Sequence, residues 1–463
     1  MGRIQDRSVH LPYNATQNHS TNSYRRSLIV LVALLFPAAY YLNFSSLANL
    51  FQSRYGHPIS YHEPDFSHLS SHCADIAPIQ ASSFLDRQRS LAETLYHLKA
   101  SAYIAEPGPS AAYFANLTSA SWHLSERPLL LIVTPYIDHI GTVQAQVSVL
   151  TPSFEATRAK LLHIPSSVDI SYPEWPEHED PYAAALSVVD NADKGAVIYV
   201  DGAARHFIVE GLQQAAPHAV VRGAPIEIRR LRERKSKEEL EIMKCANEVT
   251  VLSIREARKH MYIGMHESEA GALVVKAMSA AGLRGPFALS LFGENAALPH
   301  GSGTDRVLKA EDFILIDCGG ALHGYESDVT RTFLLPDSSP SERQLNLWAK
   351  VKHVQTVALN TALNGTITGN VDKTARKVMG DYAPYFTHRL GHGIGLEGHE
   401  SPYLRGGSND IILTGHTFSD EPGIYIEGEL GIRLEDCFYI EEDGKPVYLT
   451  SGVGGQARSP WDL

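Results

Sequence analysis

The sequence predicts an α+β protein: a larger α+β domain over residues 229–463, preceded by a smaller α/β domain over 75–228. Three observations carry this. Ser236 with Glu239 forms a capping box, in which hydroxyl and carboxylate satisfy each other's unpaired amides. Leu240, Met243, Val251 and Ile254 then fall on one arc of the helix that follows, at about 100° per residue. Strand-like runs come next, Phe313 to Cys318 and Val329 to Leu335, separated by Gly319, Gly320 and Gly324. Helices followed by a hairpin, another helix and more strands indicate segregated rather than alternating α and β layers.

Taken in order, the chain opens with residues 1–26, which hold Arg3, Arg7, Arg25 and Arg26 against Asp6 alone. No charge occurs from Ser27 to Ser53, and Leu28 to Leu42 is almost wholly apolar. The expectation is a cytosolic tail (1–26) and a signal-anchor at 27–47. The positive-inside rule then directs the rest of the chain, residues 75–463 included, to the lumenal or extracellular side of the membrane. Secretion after cleavage near Ala38 or Ala39 is the alternative, because Pro37 interrupts the run. Asn116-Leu117-Thr118 and Asn364-Gly365-Thr366 would then be glycan acceptors. Residues 48–74, rich in Ser, His, Pro and Tyr without periodicity, read as a stalk. In 75–228, Leu91, Leu95 and Leu98 recur at helical steps. The apolar runs Leu129 to Val133 and Val197 to Val200 end in Thr-Pro and Asp-Gly turn signals. Beyond 229, a second helix over 267–281 ends at Gly282, and a third spans 341–362 with Leu345, Trp348, Val351 and Ala358 inward. The last strands are Gly423 to Ile426 and Gly431 to Ile440.

A formal charge of −12 excludes a general nucleic-acid binder, which needs a clustered positive field; the basic run Arg229 to Lys237 reads as a solvated linker. Four cysteines without CxxC spacing exclude a zinc ribbon. Cys318 and Cys437 lie in apolar runs and read as buried free thiols, with a disulfide as the alternative.

The chemistry is sought where acids and histidines sit in apolar or glycine-rich surroundings. Asp317 ends the run Phe-Ile-Leu-Ile-Asp, where a buried carboxylate needs a partner or a metal. Asp328, eleven positions later, lies roughly opposite it across the hairpin. For these two alone, a structural hydrogen-bond pair is an equal alternative. His388, His392 and His399 share one glycine-dense segment, and core packing does not account for three imidazoles there. Glu421 opens Glu-Pro-Gly-Ile-Tyr, and on the last strand Arg433 and Glu435 share a face while Asp436 points away. Four carboxylates and one neutral imidazole offset two divalent cations, with manganese, cobalt or zinc favoured over copper. Paired cations of this kind suit hydrolysis.

In order, Pro299-His300-Gly, Asp317-Cys-Gly-Gly, Asp328-Val-Thr-Arg-Thr-Phe, Gly391-His392-Gly-Ile-Gly, Glu421-Pro-Gly-Ile-Tyr and Arg433-Leu-Glu435-Asp resemble the Xaa-Pro peptidases. These are the prolidase and aminopeptidase P branch of the pita-bread metallopeptidases and creatinases. The resemblance implies a pita-bread catalytic domain behind a creatinase-type N-terminal domain, two divalent metal ions (manganese first), a small peptide substrate and a homodimer. It implies that Asp317 chelates one metal, that Asp328 and Glu435 bridge both, and that His392 and Glu421 hold the second. His300 and His399 match the substrate-side histidines, His388 and Arg433 the polar residues beside them, and Glu421 is the expected proton shuttle. Glu435 lies only fourteen positions after Glu421, as in compact members, and Asp420 stands where an uncharged residue is usual.

The expected function is therefore a dinuclear exopeptidase for Xaa-Pro bonds, with dipeptides favoured. A small-molecule C–N hydrolase or metal-dependent lyase, or a non-catalytic binding protein on the same scaffold, are the alternatives.

Overall fold

The structure is a computed structural model that describes residues 63–463, and Asp65–Leu463 forms one compact unit. The first part of this unit is a six-stranded sheet. Its strands are β1 (Ala102–Ala105), β2 (Leu130–Ile137), β3 (Val143–Pro152), β4 (Glu174–Trp175), β5 (Val197–Val200) and β6 (Val220–Gly223), in the order β4-β3-β2-β1-β5-β6. The helix Ala81–His97 lays Leu91 and Leu95 on one face, against Tyr103, Leu131 and Val147.

The second part begins at the helix Lys237–Arg258, whose capping box is formed by Ser236 and Glu239 with hydrogen bonds of 2.8 and 3.3 Å. Met243, Val251 and Ile254 on its inner face are fully buried. With Glu267–Ala280, which ends before Gly282 at a φ of +94°, it packs on strands β7 (Arg284–Phe292), β8 (Ile314–Leu322), β9 (Tyr325–Glu326) and β10 (Val329–Phe333). These pair in the order β10-β8-β7, with β9 against β8. A second helix pair, Glu342–Thr361 and Thr368–Met379, shares its own apolar core with the remaining strands. Those are β11 (Gly391–Gly393), β12 (Glu400–Leu404), β13 (Thr417–Asp420), β14 (Gly423–Ile426), β15 (Leu430–Arg433), β16 (Asp436–Ile440) and β17 (Pro446–Tyr448). They form a five-stranded sheet, β12-β11-β13-β16-β17, and the pair β14-β15.

Three features depart from the sequence reading. The strand expected at Gly431 to Ile440 breaks at Leu434-Glu435, and its halves join different sheets. At the break the Glu435 amide donates to the Thr330 carbonyl (3.0 Å) and the Glu435 carbonyl accepts from Arg331 (2.7 Å), so backbone pairing gives way to cross-sheet bonds. Strand β7 is not evident from the sequence, because a register shift between Arg284 and Phe287 breaks its alternation. Cys73 and Cys245 form a disulfide, while Cys318 and Cys437 are buried free thiols. That bond fastens the segment bearing Phe66 and Leu69, both buried in the core of Met243 and Ile254.

The expectation of a single-pass membrane protein is corrected. The tail, the signal-anchor at 27–47 and the stalk up to 62 lie outside the described residues. Among the described residues no helix is long and apolar enough to cross a membrane. The apolar run Leu28 to Leu42 is itself only fifteen residues long and contains Pro37, short of the roughly 20 that a helical span needs.

Candidate metal centre

Strand pairing places Asp317 on β8 opposite Thr330 on β10, and Asp328 just ahead of β10, so both carboxylates face one cleft. Across it, β11 presents His392. A Cβ on Gly391 beside it would collide with the Ser419 carbonyl of β13, so only glycine permits this approach of the two strands. Glu421 follows β13, its amide bonded to the Leu390 carbonyl (2.9 Å), and Glu435 occupies the break between β15 and β16. The ligand atoms converge in three groups, each within 4.8 Å: Asp317, Asp328 and Glu435; His392, Glu421 and Glu435; Asp328, His392 and His399. All five residues expected to hold metal are thus brought together.

The electrostatics are those of crowded acids. Glu435 is buried and Asp328 and Glu421 are half-buried; desolvation, followed by repulsion from neighbouring acids, pushes all three carboxyls up, Glu435 to about 8. Arg433 is the guanidinium among them. Burial opposes its charge, but Tyr425, Asp317 and Glu435 more than restore it. His392 is 1% exposed, and burial with the neighbouring His399 lowers it to about 3, which keeps it in the neutral form that ligates metal. Its Nδ1 faces the Gly393 carbonyl (3.1 Å) and its Nε2 faces Glu421 (3.4 Å) and Asp328 (3.7 Å). Asp317 has one oxygen on Arg433 (2.5 Å), while its Oδ1 is buried without a hydrogen-bond partner. Hard oxygen donors, a neutral imidazole and an orphaned carboxylate oxygen fit divalent cations.

Around this cluster, His388 accepts at Nε2 from the Tyr425 hydroxyl (2.7 Å), since its Nδ1 lies on the Arg389 carbonyl (2.7 Å) and must carry the proton there. Burial and Arg433 lower it to about 4. Arg433 donates to Asp317, Thr330, Tyr425 and the Pro299 carbonyl, which brings the neighbouring His300 to the rim. His300 is close enough for its charge to bear on both His388 and His399. The His399 ring stands edge-on to His392, with centroids 4.2 Å apart.

Two contributors escape the sequence reading, though both lie inside motifs it singles out. Thr330 donates to Glu435 (2.6 Å) and accepts from Arg433 (3.1 Å), and Tyr425 joins His388 to Arg433. Strand alternation from Asp328 is the available signal for Thr330. Asp420 turns away from the cluster: it is buried, accepts from the Tyr448 hydroxyl (3.2 Å), and burial pushes its carboxyl well above the usual range.

The sequence profile of metallopeptidase family M24 matches residues 241–442. An uncharacterized peptidase of Schizosaccharomyces pombe is 38% identical over 393 residues, which cover 83% of this chain and 84% of that one. The Xaa-Pro dipeptidase of Pyrococcus furiosus is 32% identical over 249 residues, 53% of this chain and 71% of that one. Among solved structures, dipeptidase PepE of Mycobacterium ulcerans superposes with a TM-score of 0.72 at 25% identity, covering 81% of this chain and 97% of its own. The prolidase of Pyrococcus horikoshii gives 0.67 at 25%, covering 79% and 98%.

Proposed function

The chain belongs to metallopeptidase family M24, and on that footing we propose that it is a two-metal exopeptidase that hydrolyses Xaa-Pro bonds, dipeptides before longer peptides. It is a metal-dependent peptidase with a pita-bread catalytic domain. The observation that carries the proposal is the convergence of four carboxylates and a neutral imidazole on one cleft. In this reading Asp317 serves one ion, Asp328 and Glu435 are shared, and His392 and Glu421 serve the second, with manganese ahead of cobalt or zinc. Bound there, the cations would supply Lewis-acid polarisation of the scissile carbonyl and lower the pKa of a water. The complete donor set and dipeptidase relatives favour this reading over the lyase, C–N hydrolase and non-catalytic alternatives.

The protein's own groups supply the rest. Glu421, with a carboxyl that burial and neighbours push up, takes a proton from the attacking water and gives it to the leaving nitrogen. His300 and His399 steady the carbonyl. The His388–Tyr425–Arg433 chain holds the flank where the proline ring sits and fixes Asp317. A bond to proline is a tertiary amide without an N–H, so a cleft that grips the carbonyl rather than pairing with a strand suits it.

The test is a metal-reconstituted assay on Xaa-Pro dipeptides, Xaa-Pro tripeptides and non-proline controls. Dipeptides should be cleaved fastest. Equal rates with and without proline would overturn the proline assignment, and no hydrolysis by the metal-loaded protein would overturn the peptide substrate. Replacing His399 by Ala should lower kcat on the order of 10²-fold while metal content, read by elemental analysis, falls far less, because an oriented donor acts on the transition state. Parallel loss of metal and turnover would make His399 a ligand instead.

A further inference from the structure

A cavity of about 370 Å³ lies between the β1–β6 sheet domain and the segment that bears His399, with His399 in its wall. A His399 ring nitrogen also stands within 4.8 Å of ligand atoms on Asp328 and His392, so the space adjoins the donor cluster. Its lining includes Tyr103, Phe114 and Ile228, which give it an apolar side. The charged lining consists of Asp201, Glu233, Glu397 and Glu400 with Arg229 and Arg232. Lys235 stands against Glu400 (2.7 Å) and Arg230 also bears on Glu233, so carboxylates and cations are interleaved around the space and neither sign dominates it.

Three of those carboxylates are engaged. Asp201 accepts from the Tyr103 hydroxyl (2.6 Å) and the Ala203 amide (2.7 Å), Glu400 from Lys235, and Glu397 pairs with Arg232. Glu233 differs. It is 7% exposed, and among the described residues its carboxylate takes no hydrogen bond and no direct ion pair, though Arg230, Lys235 and Arg229 act on it from further off. Its oxygens open into the cavity rather than being sealed in the protein, and a partly desolvated carboxylate placed there can receive a charged partner from a ligand. On the Glu400 side, Oε2 is buried without a hydrogen bond but ion-paired to Arg232 (3.5 Å), whose Nη1 is also buried without a hydrogen bond.

We propose that this cavity receives the side chain of the residue ahead of the scissile bond, and that Glu233 selects a long cationic side chain, Lys or Arg, there. The proposal rests on the peptidase reading above. The other flank of the cluster is lined by His388, Tyr425 and Arg433 and is assigned above to the proline ring, which leaves the His399 flank for the residue that precedes the bond. A lysine or arginine stem runs along Tyr103, Phe114 and Ile228 and brings its charge to Glu233, an arrangement in which the stem stays on apolar surface and the head finds a carboxylate.

The experiment compares kcat/KM for Arg-Pro, Leu-Pro and Glu-Pro on the metal-loaded protein and on Glu233→Gln and Glu233→Lys, each checked for an unchanged melting temperature. Arg-Pro should lead in the native protein. Its ratio to Leu-Pro should fall about tenfold in Glu233→Gln, and Glu233→Lys should move the preference towards Glu-Pro. Unchanged ratios in both variants, with Xaa-Pro hydrolysis intact, would overturn the assignment and leave the peptidase reading standing. Equilibrium binding of free arginine against norleucine supplies a readout without turnover. Arginine binding that depends on Glu233 in a protein that cleaves no peptide would uphold the cavity and sink the peptidase reading. Equal binding of both amino acids would count against the cavity.

Discussion

Replacing Asp328 by Asn should abolish turnover while leaving the metal-free fold intact or slightly more stable. Asp328 lies where two of the three donor groups overlap, with Asp317 and Glu435 on one side and His392 and His399 on the other. Losing its charge weakens both groups at once. Loss of an outer partner of a metal ligand already costs roughly 10–100-fold in affinity or activity, and loss of a shared ligand should exceed that. The fold has no reason to suffer, because the Asp328 carboxyl is burdened by burial and by Glu435, Asp317 and Glu421 around it. The amide removes that repulsion at nearly constant volume. Metal analysis, turnover and melting of the metal-free variant decide the matter. Full occupancy with full turnover would rule out a shared role for Asp328, and a collapsed metal-free melt would make it a structural residue.

The second large effect concerns stability. Cys73 and Cys245 are 172 positions apart, so their bond closes a long loop in the unfolded chain. Chain-entropy arguments assign such a loop roughly 5 kcal/mol, and measured values for native disulfides run about 2–5 kcal/mol. The paired variant Cys73→Ala with Cys245→Ala should therefore melt several degrees lower than the native protein. Around Phe66 and Leu69 the chain should also become open to protease, since the covalent tie to the helix Lys237–Arg258 is gone. Identical melting curves and digestion patterns would show that packing alone holds the segment.

What can be read from the sequence is what depends on near neighbours. The Ser236 box, the stop at Gly282 and the third helix at Glu342–Thr361 are signals within one or two turns, and each stands within a residue or so of its expected place. The donors are legible for a different reason: neither packing nor solvation favours acids and imidazoles in apolar or glycine-dense runs, so their presence there points to chemistry. Long-range pairings are not legible. Nothing near Cys73 points to Cys245, and nothing in Leu434-Glu435 tells that Thr330 and Arg331, about a hundred positions earlier, will end a strand there. The surroundings of Arg433 belong to the same class. The sequence marks it only as a polar residue beside the substrate-side histidines, whereas in the fold it is buried and committed to Asp317, Thr330, Tyr425 and Pro299. Asp420 is the converse case: beside a ligand in sequence, it faces the opposite side of its strand.

The donors are divided between the two helix-backed cores: Asp317 and Asp328 stand on the sheet of β7, β8 and β10, and His392, Glu421 and Glu435 on or beside the strands of the other. Any cation gripped from both sides acts as a clasp whose tightness depends on solution composition. By mass action, free metal at 100 times its dissociation constant would add about 2.7 kcal/mol to the folded state. The resistance of this domain to heat should thus follow the concentration of available cation as closely as its turnover does, with chelation loosening the junction of the halves before either core comes apart.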